Sequence, residues 1–203
     1  KIHEQFLKVI RSFQMLHKGD AVIVAVSGGP DSVALLQLLR SIQQDYRLEL
    51  IVAHLNHRLR KEASDADEQF VRQLAQHCSL KYLVDEISPD ILQRLRHENL
   101  EAGIRQQRYE FPRRCAAMQS AQKIAVGHTM NDQAETVLIN LIRGSGPEGL
   151  KGIVPVREGR IIRPLLHVGR GDILEFLKRE GLTYMTDSSN LNPVFLRNRI
   201  RNE

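Results

Sequence analysis

Residues 22–36 read VIVAVSGGPDSVALL: an apolar strand-like run, a short polar loop and then an apolar helical pattern. The loop, SGGPDS at 27–32, has adjacent glycines that let the backbone turn tightly and bring N–H groups close to an anion. The following helix directs the positive end of its dipole at the same place. The segment predicts a phosphate site formed by Ser27, Gly28, Gly29, Pro30, Asp31 and Ser32. The alternative is an ordinary Gly-Gly-Pro turn with Asp31 as a helix N-cap.

The SGGPDS loop contains no Lys or Arg, and it does not follow the Gly-x-x-x-x-Gly-Lys-Ser/Thr pattern. Without that lysine the loop is poorly suited to a transferring γ-phosphoryl group. It suits a pyrophosphate that leaves when the α-phosphorus is attacked. Asp31 is a candidate magnesium ligand, because a hard cation that bridges carboxylate and phosphate oxygens offsets the charge of the leaving group.

Strand-like runs alternate with helical patterns, which predicts an α/β fold: a Rossmann-like, mostly parallel sheet with helices on both faces. The predicted strands span 21–27, 48–56, 82–86 and 124–127, and the predicted helices span 31–43, 64–77, 98–118, 132–142 and 172–180. Glycines between 144 and 155 indicate a mobile active-site loop, and residues 163–166 indicate a hairpin-like stretch.

Polar residues follow three of the predicted strands, and ligands of such sheets bind outside the carboxyl ends of the strands. His54 and Asn56 end the second strand and are candidates for hydrogen bonds to a nucleotide. His128 follows the fourth, and Asp132 and Glu135 share one face of the next helix. Spacing alone favours two capping carboxylates. Position at this edge favours ligands for magnesium or for the ammonium of an amine substrate.

The basic residues are compatible with a nucleic-acid partner, since the chain has a net charge of +5 and a pI near 9.4. Arg105 and Arg108 lie on one helical stripe. Either they form solvated ion pairs of small energetic worth, or they place guanidinium groups at the rim of an active site. The candidates for contact with RNA phosphates are Arg60, Arg108, Arg197 and Arg199.

Composition excludes several classes of protein. Cys78 and Cys115 lack the Cys-x-x-Cys spacing of a metal or redox site, and we interpret them as buried thiols in a reducing cytoplasm. No apolar stretch approaches the roughly 20 residues of a membrane helix. We therefore expect a cytoplasmic protein. The chain begins without Met and ends in a charged stretch, which we interpret as a fragment.

The SGGPDS loop with its strand and helix resembles the PP-loop ATP pyrophosphatases, which adenylate a substrate oxygen and release pyrophosphate. From about residue 21 to the last residue, the chain is similar to the tRNA(Ile)-lysidine synthetase family. The similar segments, in order, are AHLNHRLR at 53–60, EA at 101–102 with Arg105 and RY at 108–109, GH at 127–128 with DQAET at 132–136, RGSG at 143–146, RPLL at 163–166, and DSSN at 187–190 with RNRIR at 197–201.

The resemblance implies that residues 1–203 form an N-terminal catalytic domain whose helical, tRNA-binding C-terminal domains are missing. It implies ATP-dependent ligation of free lysine to carbon 2 of the wobble cytidine of an isoleucine tRNA with a CAU anticodon. The SGGPDS loop would bind ATP, with Asp31 serving magnesium. Arg105 and His128 would contact the adenylated intermediate, and Asp132 with Glu135 would position lysine.

The family commonly has two acidic residues where this chain has Asn131-Asp132, which leaves the role of Asn131 open. A homodimer is an expected assembly that the sequence does not decide. One alternative is a tRNA cytidine 2-thiolation enzyme of the same superfamily, which normally carries paired Cys-x-x-Cys motifs. The other is a nucleotide- or RNA-binding module without turnover.

Overall fold

The computed structural model describes residues 1–59 and 62–186 of the chain. Its elements in chain order are α1 (Ile2–Ser12), β1 (Ala21–Ala25), α2 (Pro30–Ser41), α3 (Gln43–Tyr46), β2 (Glu49–Asn56), α4 (Glu62–His77), β3 (Lys81–Glu86), α5 (Pro89–Glu98), α6 (Leu100–Met118), β4 (Lys123–Ala125), α7 (Met130–Ile142), α8 (Pro147–Leu150), β5 (Val156–Arg157), β6 (Ile161–Ile162) and α9 (Arg170–Arg179). None of these helices is long and apolar enough to cross a lipid bilayer.

The strands form one sheet in the order β3-β2-β1-β4-β6-β5, in which β5 is antiparallel to its neighbour and the other pairs are parallel. From β1 the chain passes through α2 to β2 on one side, whereas from β4 it passes through α7 towards β6 on the other. The strand order therefore reverses between β1 and β4. Such a switch point is where doubly wound sheets form a crevice for ligands.

Side chains that alternate along the strands build two layers of core, one on each face of the sheet. Val22 and Val24 of β1 belong to the cluster that includes residues of α1, α2, α4 and α9. Ile23 belongs to the opposite cluster, with Phe111 and Cys115 of α6. Burial on both faces explains why the central strand is a continuous apolar run. The predicted α/β fold is confirmed.

Several predicted boundaries were wrong. The helix predicted over 98–118 is α6, which begins at Leu100 because the side chain of Asn99 accepts a hydrogen bond (3.1 Å) from the Ala102 N–H as its N-cap. Helix α5, which ends just before Asn99, was not predicted. Helix α1 was not predicted, although its apolar residues recur at helical spacing. The hairpin β5–β6 precedes residues 163–166, and the predicted loop at 144–155 contains α8.

Candidate functional site at the switch point of the sheet

The SGGPDS loop is closed by its own side chains. The Ser27 N–H donates to Ser32 Oγ (3.2 Å), and the Ser32 hydroxyl donates to the Gly29 carbonyl (2.9 Å). Gly29 is the N-cap of α2 and Pro30 its first residue. Among the residues that the structure describes, a Cβ atom on Gly29 would meet only Ser27 Oγ within 4 Å, which leaves room for an anion in front of the loop. Loop and helix together form a cradle that fits an anion.

Gly28 supplies the turn of this loop. Its φ of +94° lies in the region that favours glycine. Its carbonyl accepts a hydrogen bond from the Met185 N–H (2.9 Å), which ties the loop to the chain beyond α9. Substitution at Gly28 is strained whatever space surrounds it.

Gly127 brings the end of β4 against the start of α2. A Cβ atom at this position would lie 3.3 Å from the carbonyl carbon and oxygen of Asp31 and from the Ser32 nitrogen. These neighbours are backbone atoms, which do not move aside as a flexible side chain would. A residue without a side chain therefore allows the two loops of the switch point to touch.

His54 lies at the end of β2 and is only 3% exposed. Its Nδ1–H donates to the carbonyl oxygen of Val26 (2.8 Å), the residue that leads into the SGGPDS loop. Burial lowers the pKa of His54 below 6.5, and the Val26 hydrogen bond and the charges of Glu68 and Asp67 only partly oppose this effect. Within the described part of the chain, Nε2 is buried without a hydrogen-bond partner. The imidazole is thus neutral and supports the loop.

Asn56 is buried two residues further along β2. Its amide nitrogen lies 3.1 Å from both Asp65 Oδ1 and Glu68 Oε2 of α4, and its oxygen accepts from the Arg58 N–H (2.9 Å). These contacts give Asn56 a structural function at the start of α4. Its predicted contact with a nucleotide stays a prediction.

Helix α7 begins with a capping box, which is the role that spacing alone favoured for Asp132. Thr129 is the N-cap, and Asp132 Oδ2 accepts from the Thr129 N–H (2.8 Å) and hydroxyl (3.0 Å). Asn131 also has a structural function, because its Oδ1 accepts from the N–H of Arg170 (3.0 Å), the first residue of α9. An amide at position 131 therefore joins the N-terminal ends of two helices.

Glu135 lies one helical turn after the capping box and is only 5% exposed. It is the fully buried residue that α7 contributes, although the helix is otherwise rich in aliphatic side chains. Burial of a carboxylate is costly unless a cation or hydrogen-bond donors face it. A buried acid near the carboxyl end of β4 is therefore suited to a cationic group.

His128 is held by a residue that the sequence analysis did not assign to the site. The Nε–H of Arg163 donates to His128 Nδ1 (3.2 Å), and Nη1 donates to the Val154 carbonyl (2.6 Å). Arg163 is 3% exposed. It follows β6, the neighbour of β4. The available signal was a lone charge between two apolar pairs in IIRPLL, since few arginines are buried without a specific partner.

Arg105 and Arg108 of α6 lie on the outside of the same edge. Because α6 leads into β4, it runs antiparallel to the strands, and its N-terminal half with Arg105 and Arg108 lies at their carboxyl ends. Both side chains are exposed. Arg108 Nη2 lies 3.1 Å from Nε2 of His57, just after β2. Arg60, Arg197 and Arg199 lie outside the described residues.

The switch point thus brings together the SGGPDS loop, with Asp31 half-buried in the first turn of α2, and the segment from His128 to Glu135. Asn56 bonds to α4, and its contact with a nucleotide stays a prediction. Among the residues that the structure describes, no cluster of three or more His, Cys, Asp or Glu residues forms a metal site. Magnesium at Asp31 stays a prediction, for which a single carboxylate beside phosphate oxygens is the expected donor set.

An anion cradle at the switch point of a parallel sheet defines the chain as a nucleotide-binding α/β domain. The family model of the PP-loop domain matches residues 1–203. The chain belongs to the PP-loop family, an ATP-binding domain.

Curated relatives match most of this chain. It is 50% identical over 192 residues to a tRNA(Ile)-lysidine synthase of Symbiobacterium thermophilum, covering 93% of the chain and 40% of that protein. It is 45% identical over 202 residues to the enzyme of that name from Geobacter sulfurreducens, covering 97% of the chain and 43% of that protein. The chain therefore spans less than half the length of these relatives.

Solved structures agree on the fold. The U34-tRNA thiolase NcsA of Methanococcus maripaludis, solved with its [4Fe-4S] cluster, gives a TM-score of 0.76 at 18% identity, covering 98% of this chain and 70% of that one. The NH3-dependent NAD synthetase of Campylobacter jejuni gives a TM-score of 0.55 at 14% identity, and the match covers 100% of this chain and 87% of that one. At these identities the likeness concerns the fold alone.

Proposed function

We propose that this chain is the catalytic domain of a tRNA(Ile)-lysidine synthase, which ligates lysine to carbon 2 of the wobble cytidine of an isoleucine tRNA with a CAU anticodon. The observation that carries the proposal is that one edge of the sheet offers both a cradle for an anion and the buried carboxylate of Glu135 for a cation. A reaction between ATP and lysine needs both. The names of the relatives at 50% and 45% identity support these substrates.

In the first step, the carbonyl oxygen of the cytidine attacks the α-phosphorus of ATP, and the bond to pyrophosphate breaks. The backbone N–H groups and hydroxyls of the SGGPDS loop bind the leaving pyrophosphate. Asp31 would hold magnesium, which would supply charge neutralisation to the leaving group. His128 and the exposed Arg105 stabilise the charge that develops on the α-phosphoryl oxygens.

In the second step, the neutral ε-amine of lysine attacks carbon 2, the C–N bond forms, and the bond from carbon 2 to AMP breaks. The proton that the nitrogen loses passes to the phosphate of the departing AMP. Glu135 holds the lysine by an ammonium group, because its carboxylate is already withdrawn from water. Asp132 Oδ2 belongs to the capping box, so we assign Oδ1 to the same substrate. Held in this way, lysine meets the adenylated base at the switch point.

The tRNA reaches this edge along the exposed arginines. Arg108 lies at the carboxyl end of the sheet beside His57 and is placed for a phosphate contact. Arg60, Arg197 and Arg199 complete the proposed RNA contacts. A cytoplasmic location and a homodimer accompany the proposal as predictions.

The test incubates the protein at its full natural length with ATP, labelled lysine and unmodified isoleucine tRNA. We expect label in the RNA, together with AMP and pyrophosphate. The elongator methionine tRNA, which has the same anticodon, is the control and takes up no label. Turnover of ATP to ADP, or RNA that stays unlabelled, would contradict the proposal.

A thiolation enzyme is a weaker candidate, because the cysteines of this chain do not fit an iron–sulfur cluster. Cys115 of α6 packs on one face of the sheet, whereas Cys78 follows α4 and lies beside Gln37 of α2 on the other. Burial raises the pKa of the Cys115 thiol to about 11, which disfavours the thiolate that a metal requires. A binding module without turnover is distinguished by the release of AMP.

A further inference from the structure

Arg163 is a buried cation next to the switch point. Arg163 is 3% exposed and directly follows β6. Strand β6 pairs with β4, and the Val126 N–H donates to the Ile162 carbonyl (3.1 Å), so Arg163 lies alongside the segment that carries His128. Within residues 1–59 and 62–186, its side chain pairs with no carboxylate and bonds instead to an imidazole and a carbonyl. A buried charge held in this way needs a function other than ion pairing.

The contact with His128 fixes the position of a proton. A guanidinium group only donates hydrogen bonds, so Nδ1 of His128 accepts from Arg163 Nε and carries no proton. The proton of the neutral ring is then on Nε2, across the ring from Arg163. His128 is thereby presented as a hydrogen-bond donor one residue after Gly127, whose backbone touches the first turn of α2.

The second contact of Arg163 holds the segment beyond α8. Its Nη1 donates to the Val154 carbonyl (2.6 Å), and its backbone N–H donates to the Pro155 carbonyl (3.0 Å). Gln133 of α7 holds the preceding residues, since its amide oxygen accepts from the Ile153 N–H (2.6 Å). One guanidinium thus bonds to both the imidazole of His128 and the segment that precedes β5.

We propose that Arg163 is a positioning residue that holds His128 as the neutral Nε2–H tautomer, so that the ring donates a hydrogen bond to an α-phosphoryl oxygen of the nucleotide. The tautomer of the His128 ring follows from contacts within this chain, and the contact with a phosphoryl oxygen rests on the function proposed above. Arg163 itself acts through His128 and does not touch the nucleotide.

The first test reads the ring directly by long-range 1H–15N NMR of the protein labelled at histidine nitrogens. The signals of His128 are assigned by their loss in His128→Gln. We expect a proton on Nε2 and none on Nδ1, and an Nδ1 resonance that moves in Arg163→Met. The matched control is Arg160→Met in the same hairpin, because the Arg160 side chain bonds to the Ala121 carbonyl instead. A proton on Nδ1, or an Nδ1 resonance that does not respond to Arg163→Met, overturns the proposal.

The second test is a double-mutant cycle on the formation of AMP. If Arg163 acts through His128, Arg163→Met lowers kcat by about tenfold to a hundredfold and changes the KM for ATP much less. In a His128→Gln background, the same change then has almost no further effect. Losses that multiply instead identify a general structural role and overturn the proposal.

The two tests separate this inference from the proposed function. The NMR measurement of the His128 tautomer in the wild-type protein requires neither an Arg163 variant nor a substrate. It therefore gives a result even if Arg163→Met fails to fold. A wild-type protein that labels no tRNA refutes the lysidine synthase proposal and leaves the NMR result to decide the role of Arg163.

Discussion

The two loops that meet at the switch point are held in place by different kinds of contact. The SGGPDS loop is closed by Ser27 and Ser32, whose hydrogen bond spans five residues of sequence. The loop after β4 is held from a distance. His128 bonds to Arg163, 35 residues away, and Asn131 bonds to the N–H of Arg170, 39 residues away.

This difference determines how each loop responds to change. A loop closed by neighbouring side chains keeps its shape once β1 and α2 have formed. The loop after β4 acquires its geometry only when β6 and α9 have packed beside it, so distant substitutions reach it. Variants in the SGGPDS loop should therefore act on chemistry, and variants in β6 or α9 should act on the placement of His128 and α7.

The largest effect is expected at Asp31. If Asp31 is the magnesium ligand, Asp31→Ala removes the neutralisation of the leaving pyrophosphate and lowers the rate of AMP formation by more than about a thousandfold, or about 4 kcal/mol. The fold should persist, because the loop is closed by the two serines. Quenched-flow measurement of AMP and thermal unfolding of the same sample check both statements.

Asp45→Ala is the matched control, since Asp45 is an exposed acid in the short helix α3. It should leave AMP formation unchanged. Normal AMP formation in Asp31→Ala would remove Asp31 from the metal site and leave it as an acidic residue in the first turn of α2, where the helix dipole favours it.

The next largest effect is expected at Glu135. As a ligand of the lysine ammonium, it contributes about 1.5–3 kcal/mol, so Glu135→Gln raises the KM for lysine by roughly tenfold to a hundredfold. The KM for ATP, which depends on the other loop, should stay close to the wild-type value. Steady-state kinetics with each substrate varied in turn separates the two.

Asp132→Asn tests the neighbouring carboxylate, whose structural role is visible. As a cap alone, it costs about 1 kcal/mol or less in stability and leaves the lysine dependence unchanged. If Asp132 is instead a lysine ligand, Asp132→Asn raises the KM for lysine, as Glu135→Gln does. A lowered melting temperature with an unchanged KM would refute the assignment of its Oδ1.

The features that could be predicted from the sequence are those formed by residues close together in the chain. The SGGPDS loop was placed correctly because its strand, glycines, hydroxyls and helix start are consecutive. The parallel sheet followed from apolar runs such as VIVAV, which are typical of strands buried on both faces. Local sequence contains the information that these features need.

Contacts between distant segments were not predictable in this way. Arg163 was noted only as part of RPLL, because nothing near it in sequence indicates that β6 lies beside β4. The amide of Asn56 was assigned to a nucleotide, yet it bonds to two carboxylates of α4. The spacing of apolar residues and the composition do not reveal which of several polar partners a buried side chain bonds to.

A fourth prediction concerns the contact between the loops. Gly127→Ala places a Cβ atom 3.3 Å from the backbone of Asp31 and Ser32, so the loops must separate. We expect a loss of about 1–3 kcal/mol in the free energy of unfolding and weaker ATP binding. Gly146→Ala is the control, because no atom of the described residues lies within 4 Å of its Cβ position. Equal effects of the two variants, by urea unfolding and ATP titration, would contradict a close approach at Gly127.

The smallest expected effect concerns pH and asks how far the SGGPDS loop, which the Met185 N–H already ties to the chain beyond α9, also depends on β2. His54 supports the Val26 carbonyl from β2. Its pKa is below 6.5 in the folded protein because of burial. Above pH 6.5 both states are neutral at this site and stability does not depend on it. Below pH 6.5 the unfolded chain binds the proton first, so stability falls by up to about 1.4 kcal/mol per pH unit towards the folded pKa.

Urea unfolding at about pH 7 and about pH 5.5 measures this loss. In His54→Asn, the difference in stability between the two conditions should shrink, because the group that titrates is gone. His77→Asn removes an exposed histidine at the end of α4 and should keep the wild-type difference. If ATP affinity falls along with stability in the wild type but not in His54→Asn, the loop after β1 also depends on a distant contact, and the contrast between the two loops is one of degree. An unchanged pH response in His54→Asn would show that His54 is not the group that couples acid to the loop.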